Sequence, residues 1–227
     1  AHPDGPFAAI LGAQPSRGAR SPRLWDAVYT ALGRDWRMLP LDVPAERLAD
    51  LLAWLDACPG FVGGAVAVPH KQAVAQWLGT ARLDASAQGI EAVNALFRDE
   101  QGRLRGANTD GLAAAQVLHE GGLTPTDSVL VFGFGGAARA VVNALRGRVA
   151  RLHVVTRRWE DPATVALARW MGVSLIAPAA CGPALEQATV LVNGTVLGSA
   201  PAHVGAHPLP TDFTRRARAL RLAFDVV

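Results

Sequence analysis

Residues 129–139, VLVFGFGGAAR, decide the fold of this chain, because an apolar run is followed at once by a glycine turn and a helical pattern. The run from Val129 to Phe132 is typical of a buried strand. Gly133 and Gly135 let a backbone approach a pyrophosphate closely, and the following helix N-terminus offers free N–H groups and partial positive charge. The stretch therefore predicts a dinucleotide site, with a merely structural turn as the alternative.

The sequence after this turn continues the same alternation of strands and helices. Strands are predicted in RLHVVT, VSLI, TVLVNG and RLAFDVV, and a helix in DPATVALARWMG. Repeated strand and helix units of this kind imply a parallel, doubly wound sheet.

The sequence before the turn predicts a second, mixed α/β domain. Strands are predicted in FAAILG, WRMLPLDV and FVGGAVAV, each followed by a helix: SPRLWDAVYTALG, PAERLADLLAWLDAC and HKQAVAQWLG. The segments EAVNALFRD and RLRGAN flank a turn at Gly102, which indicates two antiparallel strands. We expect an α/β protein with domains at residues 1–109 and 110–227, the second of them a Rossmann domain.

The strand RLHVV ends in Thr156-Arg157-Arg158, roughly 20 residues after the glycine turn, where folds that prefer NAD tend to place an acid. An arginine there can bind the 2′-phosphate of NADP through two hydrogen bonds and stack on the adenine. Glu160 and Asp161 follow too late to act as the usual acid. The sequence therefore favours NADP over NAD.

Composition excludes several other classes of protein. Half of the residues are hydrophobic and 18% are charged, which indicates a globular chain. The net charge of +3 is spread along the sequence, so nucleic acid is not an expected partner. Arg215, Arg216, Arg218 and Arg221 are interpreted as a solvated helix face.

The sequence also gives no indication of a membrane segment or a metal site. No apolar run reaches the length of a membrane span, and we expect a cytoplasmic protein without a membrane partner. Cys58 and Cys181 are expected to be packing residues, since two cysteines form neither a disulfide framework nor a zinc site. The loop PAHVGAHPLP contains His203 and His207. Its glycine and prolines disfavour a helix, so the two histidines are not expected to form a metal-binding pair on one helix face. We predict a plain surface loop there.

The single lysine of the sequence is Lys71, among 22 basic residues. A chain that uses arginine for generic surface charge has one compact amine with an adjustable pKa at this position, which favours a functional role. Coding bias with one surviving lysine is the alternative.

Five segments together resemble the shikimate dehydrogenase family in order and approximate spacing. They are Val68-Pro69-His70-Lys71, Ala92-Val93-Asn94, Asn108-Thr109-Asp110-Gly111, the turn from Gly133 to Arg139, and Asn193-Gly194-Thr195. The resemblance implies an N-terminal substrate domain, a C-terminal NADP domain and a cleft in which a cyclohexene alcohol is oxidised reversibly to a ketone. It implies the interconversion of shikimate and 3-dehydroshikimate, or of a related acid such as quinate or aminoshikimate, in aromatic amino acid biosynthesis through chorismate.

The resemblance also implies the site residues. Lys71 and Asp110 match the catalytic residues, and Ser21 and Asn94 join them in binding substrate. The residues that match the cofactor site are Gly133, Gly135, Gly136, Ala137, Thr156, Arg157, Arg158, Asn193 and Thr195. Hydride leaves a carbinol carbon while a proton leaves its oxygen, so a base and a cation are both useful. Whether Lys71 acts as the base or as an electrostatic stabiliser stays open.

The sequence departs from the family at the end that recognises the substrate. Ala65 and Ala67 stand where the family commonly has Asn and Thr, and Ala19 stands where it usually has a first serine. Ser21 either binds substrate or caps its helix. We expect Arg17 or Arg20 to replace the missing contacts to a carboxylate.

These departures keep a second interpretation open, in which the chain is a non-catalytic relative that binds a ring acid or nucleotide as a sensor. Family members usually continue beyond the position of Val227 with a helix that returns to the first domain. We expect that segment to be absent or outside this sequence. The sequence leaves monomer and homodimer undecided.

Overall fold

The computed structural model describes residues 5–199 and 202–226. The chain divides into two compact units, Ala1–Thr109 and Asp110–Val227. Both units combine helices with a five-stranded sheet, which confirms the α/β class. Within the described residues, no helix is both long and apolar enough to span a bilayer.

The first unit contains a mixed sheet. Its strands are β1 Phe7–Gly12, β2 Arg37–Asp42, β3 Phe61–Val66, β4 Ala95–Arg98 and β5 Leu104–Ala107, in the order β2-β1-β3-β4-β5. β1 pairs in parallel with β2 and β3, whereas β4 pairs antiparallel with β3 and β5. The helices are α1 Ser21–Ala31, α2 Leu48–Ala57 and α3 Lys71–Leu78.

Two apolar clusters cover the first sheet. The larger one includes Phe7, Leu11, Leu52 and Phe61, and it packs the sheet against α2 and α3. The smaller one, which we call the Tyr29 cluster, is formed by Ala8, Ile10, Tyr29 and Met38 with partly buried side chains around them. Alternating residues of β1 supply the two clusters, as expected for a strand buried on both faces.

The glycine pair in β3 has a packing reason. A Cβ atom on Gly64 would lie 1.8 Å from the carbonyl oxygen of Ala9 in β1. No side chain can occupy that position without moving the backbone, so the sequence FVGGAV is fixed by the close approach of two strands.

The second unit is a parallel sheet with helices between its strands. The strands are β6 Ser128–Phe132, β7 Arg151–Val155, β8 Ser174–Ile176, β9 Val190–Asn193 and β10 Leu222–Asp225. Their order is β10-β9-β6-β7-β8, and every pair is parallel. The helices are α4 Asp110–Glu120, α5 Gly136–Leu145, α6 Pro162–Met171, α7 Gly182–Gln187 and α8 Phe213–Arg216. This arrangement confirms the predicted doubly wound sheet.

The capping role considered for Ser21 is wrong. Ser21 is the first residue of α1 and Arg20 precedes it, and among the described residues no side chain caps this helix. The proline at position 22 occupies the first turn, where its missing N–H has no cost.

The arginine-rich segment is not one solvated helix face, because α8 ends at Arg216 and two of the arginines form ion pairs. Arg216 forms ion pairs with Asp212 and Glu186. Arg221 pairs with Asp127, whose side chain is only 4% exposed. These arginines therefore hold the second unit together.

Candidate functional site

A cavity of about 540 Å³ lies at the carboxyl ends of β6, β7, β8 and β9. Ligands of open parallel sheets bind at this edge, at the point where the strand order reverses. Here that point is β6, the first strand of the unit in sequence, which lies between β9 and β7. The lining residues are Phe132, Gly133, Phe134, Gly135, Val155, Thr156, Arg157, Arg158, Pro178, Gly194, Thr195, Val196, Leu197, His207 and Pro208.

The glycine turn after β6 touches the turn after β9. Gly133 has a φ of +95°, and a Cβ atom there would lie 2.9 Å from the carbonyl oxygen of Gly194. A Cβ atom on Gly194 would in turn lie 2.7 Å from the Cβ of Ala138. Both positions therefore require glycine.

Gly135 has open space where a side chain would stand. Its backbone is extended, and the first helical bond of α5 runs from the Arg139 N–H to the Gly135 carbonyl at 2.9 Å. Among the described residues, no side chain caps α5. The first turn of this helix can therefore offer its N–H groups to an anionic group in the cavity.

Two exposed arginines follow β7 at the mouth of the same cavity. Arg157 and Arg158 are both exposed, and Thr156 is buried beneath them. The Arg158 N–H donates to Thr156 Oγ1 at 3.3 Å, which folds the loop after the strand. The cavity thus has positively charged side chains at the position where a dinucleotide site contacts the ribose.

The nearby acid Asp161 is engaged elsewhere. Asp161 caps α6, accepting hydrogen bonds from the N–H of Thr164 at 2.9 Å and from its hydroxyl at 2.6 Å. The Thr164 hydroxyl and N–H bonds hold the pKa of this carboxyl below its ordinary value. Asp161 does not line the cavity, and neither does Glu160.

The predicted cofactor residues divide into two groups. Those that line the cavity are Gly133, Gly135, Thr156, Arg157, Arg158 and Thr195, whereas Gly136, Ala137 and Asn193 do not. Asn193 instead shapes the turn after β9. Its side chain accepts from the Thr195 N–H at 3.0 Å and donates to the Leu197 carbonyl at 3.0 Å.

The described residues of the loop PAHVGAHPLP lie at the surface, as predicted, but His207 also lines the cavity together with Pro208. Residue 201 of that loop and the preceding residue 200 lie outside the described residues. No local pattern indicated this contact, because it depends on how a later loop packs. Pro178 was also missed, although its place after β8 follows from the strand-end rule for parallel sheets.

In the first unit, Lys71 and Asn94 lie on neighbouring segments. Lys71 is the first residue of α3, and its carbonyl accepts from the Val93 N–H at 2.9 Å. The carbonyl of Asn94 accepts from the Val66 N–H at the end of β3, at 2.8 Å. The buried His70 ring bonds to the Val43 carbonyl at 2.7 Å, which fixes the segment that leads to Lys71.

The side chain of Asn94 forms a reciprocal contact with Thr109. Asn94 Nδ2 donates to Thr109 Oγ1 at 3.0 Å, and the Thr109 N–H donates to Asn94 Oδ1 at 2.9 Å. Asp110, in the second unit, is the first residue of α4. A Cβ atom on the next residue, Gly111, would lie 2.5 Å from the Ala140 carbonyl oxygen, so glycine lets α4 pack closely on α5.

The three alanines that depart from the family pattern lie together. Ala19, Ala65 and Ala67 all pack against the Tyr29 cluster. These three positions therefore contribute to apolar packing.

Arg17 and Arg20, which were expected to replace the missing contacts to a carboxylate, are both exposed, but their surroundings differ. Asp42 accepts hydrogen bonds from the Ser16 hydroxyl at 2.5 Å and from the Ser16 N–H at 2.9 Å. These bonds lower the pKa of Asp42, and the charge of Arg17 contributes further. Arg17 therefore lies beside an acid, which makes Arg20 the more suitable partner for a carboxylate ligand.

Comparison with known proteins identifies the family to which the chain belongs. A family model for the shikimate dehydrogenase substrate binding domain matches residues 11–96. The shikimate dehydrogenase (NADP(+)) of Anaeromyxobacter sp. (strain Fw109-5) is 38% identical over 225 residues, which cover 96% of this chain and 76% of the relative. The corresponding protein of Acidiphilium cryptum (strain JF-5) is 37% identical, with 97% of this chain and 76% of the relative covered.

A solved structure extends the likeness to three dimensions. The shikimate 5-dehydrogenase of Thermus thermophilus, in complex with NADP(H) and shikimate, superposes with a TM-score of 0.78 at 30% identity. The match covers 98% of this chain and 78% of that one. With sequence and structure in agreement over nearly its whole length, the chain belongs to the shikimate dehydrogenase family.

Proposed function

We propose that this chain is an NADP-dependent oxidoreductase that interconverts shikimate and 3-dehydroshikimate, or the alcohol and ketone of a related cyclic hydroxy acid such as quinate or aminoshikimate. The cavity with its glycine turn and two exposed arginines is the observation that supports this most strongly. Relatives named shikimate dehydrogenase (NADP(+)) give the substrate class. A cytoplasmic location belongs to the same proposal.

The residues of the cavity fit NADP. The open space at Gly135 and the uncapped start of α5 suit a pyrophosphate. Arg157 and Arg158 suit a 2′-phosphate, and Thr195 lies at the same cavity. When bound, NADP supplies the acceptor or donor of hydride.

Lys71, Asp110 and Asn94 are proposed to act on the substrate hydroxyl. Oxidation of the alcohol requires a proton to leave its oxygen, and an amine and a carboxylate can hold or receive that proton. The Asn94 amide is fixed by Thr109, so it can orient the hydroxyl with little loss of freedom.

Substitution of the two charged residues tests this assignment. Lys71→Met and Asp110→Asn should each lower kcat by about a hundredfold or more, the usual contribution of a positioned acid or base. Affinity for NADP, measured by fluorescence titration, should stay unchanged in both. Asp35→Asn, at an exposed aspartate, is the matched control, and near-normal turnover of Lys71→Met would refute the proposal.

A substrate panel separates catalysis from binding. Formation of reduced nicotinamide is followed by absorbance with shikimate, quinate, aminoshikimate and simpler hydroxy acids, each with NADP and NAD. Turnover of at least one ring acid with NADP is expected.

A non-catalytic binding protein of the same family is the second candidate. The apolar packing of Ala19, Ala65 and Ala67 favours it, because fewer polar groups remain to orient a polar ring. Ligand binding by calorimetry without turnover of any ring acid would select this candidate over the enzyme.

A further inference from the structure

His207 contributes to the nucleotide cavity although it lies far along the chain from the glycine turn. It lines the same cavity as Arg157, Pro178 and Thr195, each of which follows a different strand of the sheet. His207 lies later than Thr195 in the loop between β9 and α8. His207 lies outside the five segments that resemble the family, so its place in the cavity follows from the fold alone.

The loop is attached to the turn after β9 by backbone hydrogen bonds. The Gly198 N–H donates to the His203 carbonyl at 3.0 Å, and the Ala206 N–H donates to the same carbonyl at 3.0 Å. Gly198 has a φ of +102°, which suits a reversal of the chain at this point. These bonds bring the loop back to the edge of the sheet, next to Leu197 and Pro208 in the cavity lining.

The chemistry of the lining suits a nucleobase beside a phosphate. Seven of the lining residues have apolar side chains: Phe132, Phe134, Val155, Pro178, Val196, Leu197 and Pro208. The cations of the same wall are Arg157 and Arg158. A flat purine ring matches the apolar part, while its ribose phosphate matches the cations.

We propose that His207 stacks its imidazole ring on the adenine of the bound dinucleotide and so forms one wall of the base site. Imidazole is among the side chains on which bases stack, and removal of such a ring weakens binding by about fivefold or more. This inference rests on the proposed function, because it requires that the cavity binds NADP.

Three variants test the proposal by equilibrium titration. His207→Ala should weaken binding of NADP about fivefold or more, and binding of adenosine 2′,5′-bisphosphate by the same factor, because both ligands contain the adenine. His207→Phe retains an aromatic face and should bind both ligands nearly as well as the original chain. His203→Ala is the matched control, since His203 lies in the same loop and does not line the cavity.

The outcomes separate this inference from the proposed function. If NADP binds and His207→Ala leaves its affinity unchanged, the contact at His207 is wrong while the oxidoreductase proposal stands. If His207→Phe binds as weakly as His207→Ala, stacking is wrong. If the unaltered chain binds neither NADP nor adenosine 2′,5′-bisphosphate, the proposed function itself fails.

Discussion

Arg157 and Arg158 are, at the scale of single residues, the side chains that we propose to select the dinucleotide. Both side chains are exposed at the cavity, and the acid that follows them, Asp161, is held in the cap of α6 by Thr164. An acid that accepts two hydrogen bonds from its own helix is unavailable for ribose hydroxyls. The local arrangement therefore supports preference for a 2′-phosphate.

Replacement of both arginines should reverse this preference. Arg157→Ala with Arg158→Ala should weaken NADP binding by roughly ten- to a hundredfold, because charge-assisted hydrogen bonds to the 2′-phosphate are lost. NAD binding should change little, since NAD lacks that phosphate. Titration of nucleotide fluorescence with both cofactors measures the two affinities.

Arg169→Ala is the control for loss of positive charge, because Arg169 is exposed on α6 and does not line the cavity. Equal losses of NADP and NAD affinity in the double variant would contradict a role in 2′-phosphate recognition.

Single residues differ in how far the sequence reveals them. Thr156 and Arg157 were predictable because they follow directly on a strand whose end is visible in the sequence. His207 was not, because its contact with the cavity depends on the packing of a loop that lies beyond β9. Asn193 belongs to a recognisable motif, yet its side chain is used to form the turn that presents Thr195.

At the scale of elements, Arg98 joins the end of β4 to the end of α2. Its guanidinium donates to the carbonyls of Leu55 at 2.8 Å, Asp56 at 3.0 Å and Cys58 at 3.0 Å. The last carbonyls of a helix have no partner within the helix, and a cation there also complements the helix dipole. Arg98 thus serves as the C-terminal cap of α2 from a distant strand.

Arg98→Met should lower the free energy of unfolding by about 2–4 kcal/mol, because several buried carbonyls lose a charged donor while the length of the side chain is kept. Urea denaturation followed by far-UV circular dichroism measures the change. Arg103→Met is the control at an exposed position, where loss of the ion pair with Asp99 should cost about 1 kcal/mol or less. Equal losses in the two variants would show that Arg98 has no special capping role.

The long elements were predictable from sequence and the short ones were not. The strands and helices with a full hydrophobic repeat were found, including β1, α2 and the series from β6 to α6. Helix α7, with 6 residues, was missed, and α8, with 4, was anticipated only as a helix face that extended to Arg221, because a repeat of 3.6 residues needs several turns to be recognised. The start of α1 differed from the prediction. Ser21 and Pro22 fit a capping pattern in the sequence, whereas the backbone already includes Ser21 in the helix.

At the scale of the whole molecule, Asp127 couples the stability of the second sheet to acid. Asp127 is 3% exposed and directly precedes β6. Its carboxylate accepts from the Thr189 hydroxyl at 2.6 Å, before β9, and from the Arg221 guanidinium, before β10. One buried acid therefore ties together the starts of three parallel strands.

Ionisation of Asp127 stabilises the fold at neutral pH. Burial alone would raise its pKa, but the hydrogen bonds from Thr189, Thr124 and Arg221 outweigh burial and lower the pKa from 3.8 to about 2. Because the folded value is the lower one, the unfolded chain binds more protons between these two values. The stabilisation, about 2 kcal/mol, is complete above pH 3.8 and is lost as the pH falls toward 2.

Asp127→Asn should therefore lower stability near neutral pH by about 2 kcal/mol or more, because the amide leaves Arg221 without its charged partner. The difference from the original chain should shrink as the pH falls from about 4 toward about 2, since protonation of Asp127 then removes the same interaction. Urea denaturation at a series of pH values measures both effects, with Asp35→Asn as the control at an exposed acid. A difference that stays constant across this range would mean that Asp127 stabilises the sheet by packing and neutral hydrogen bonds, and that another carboxylate governs the response to acid.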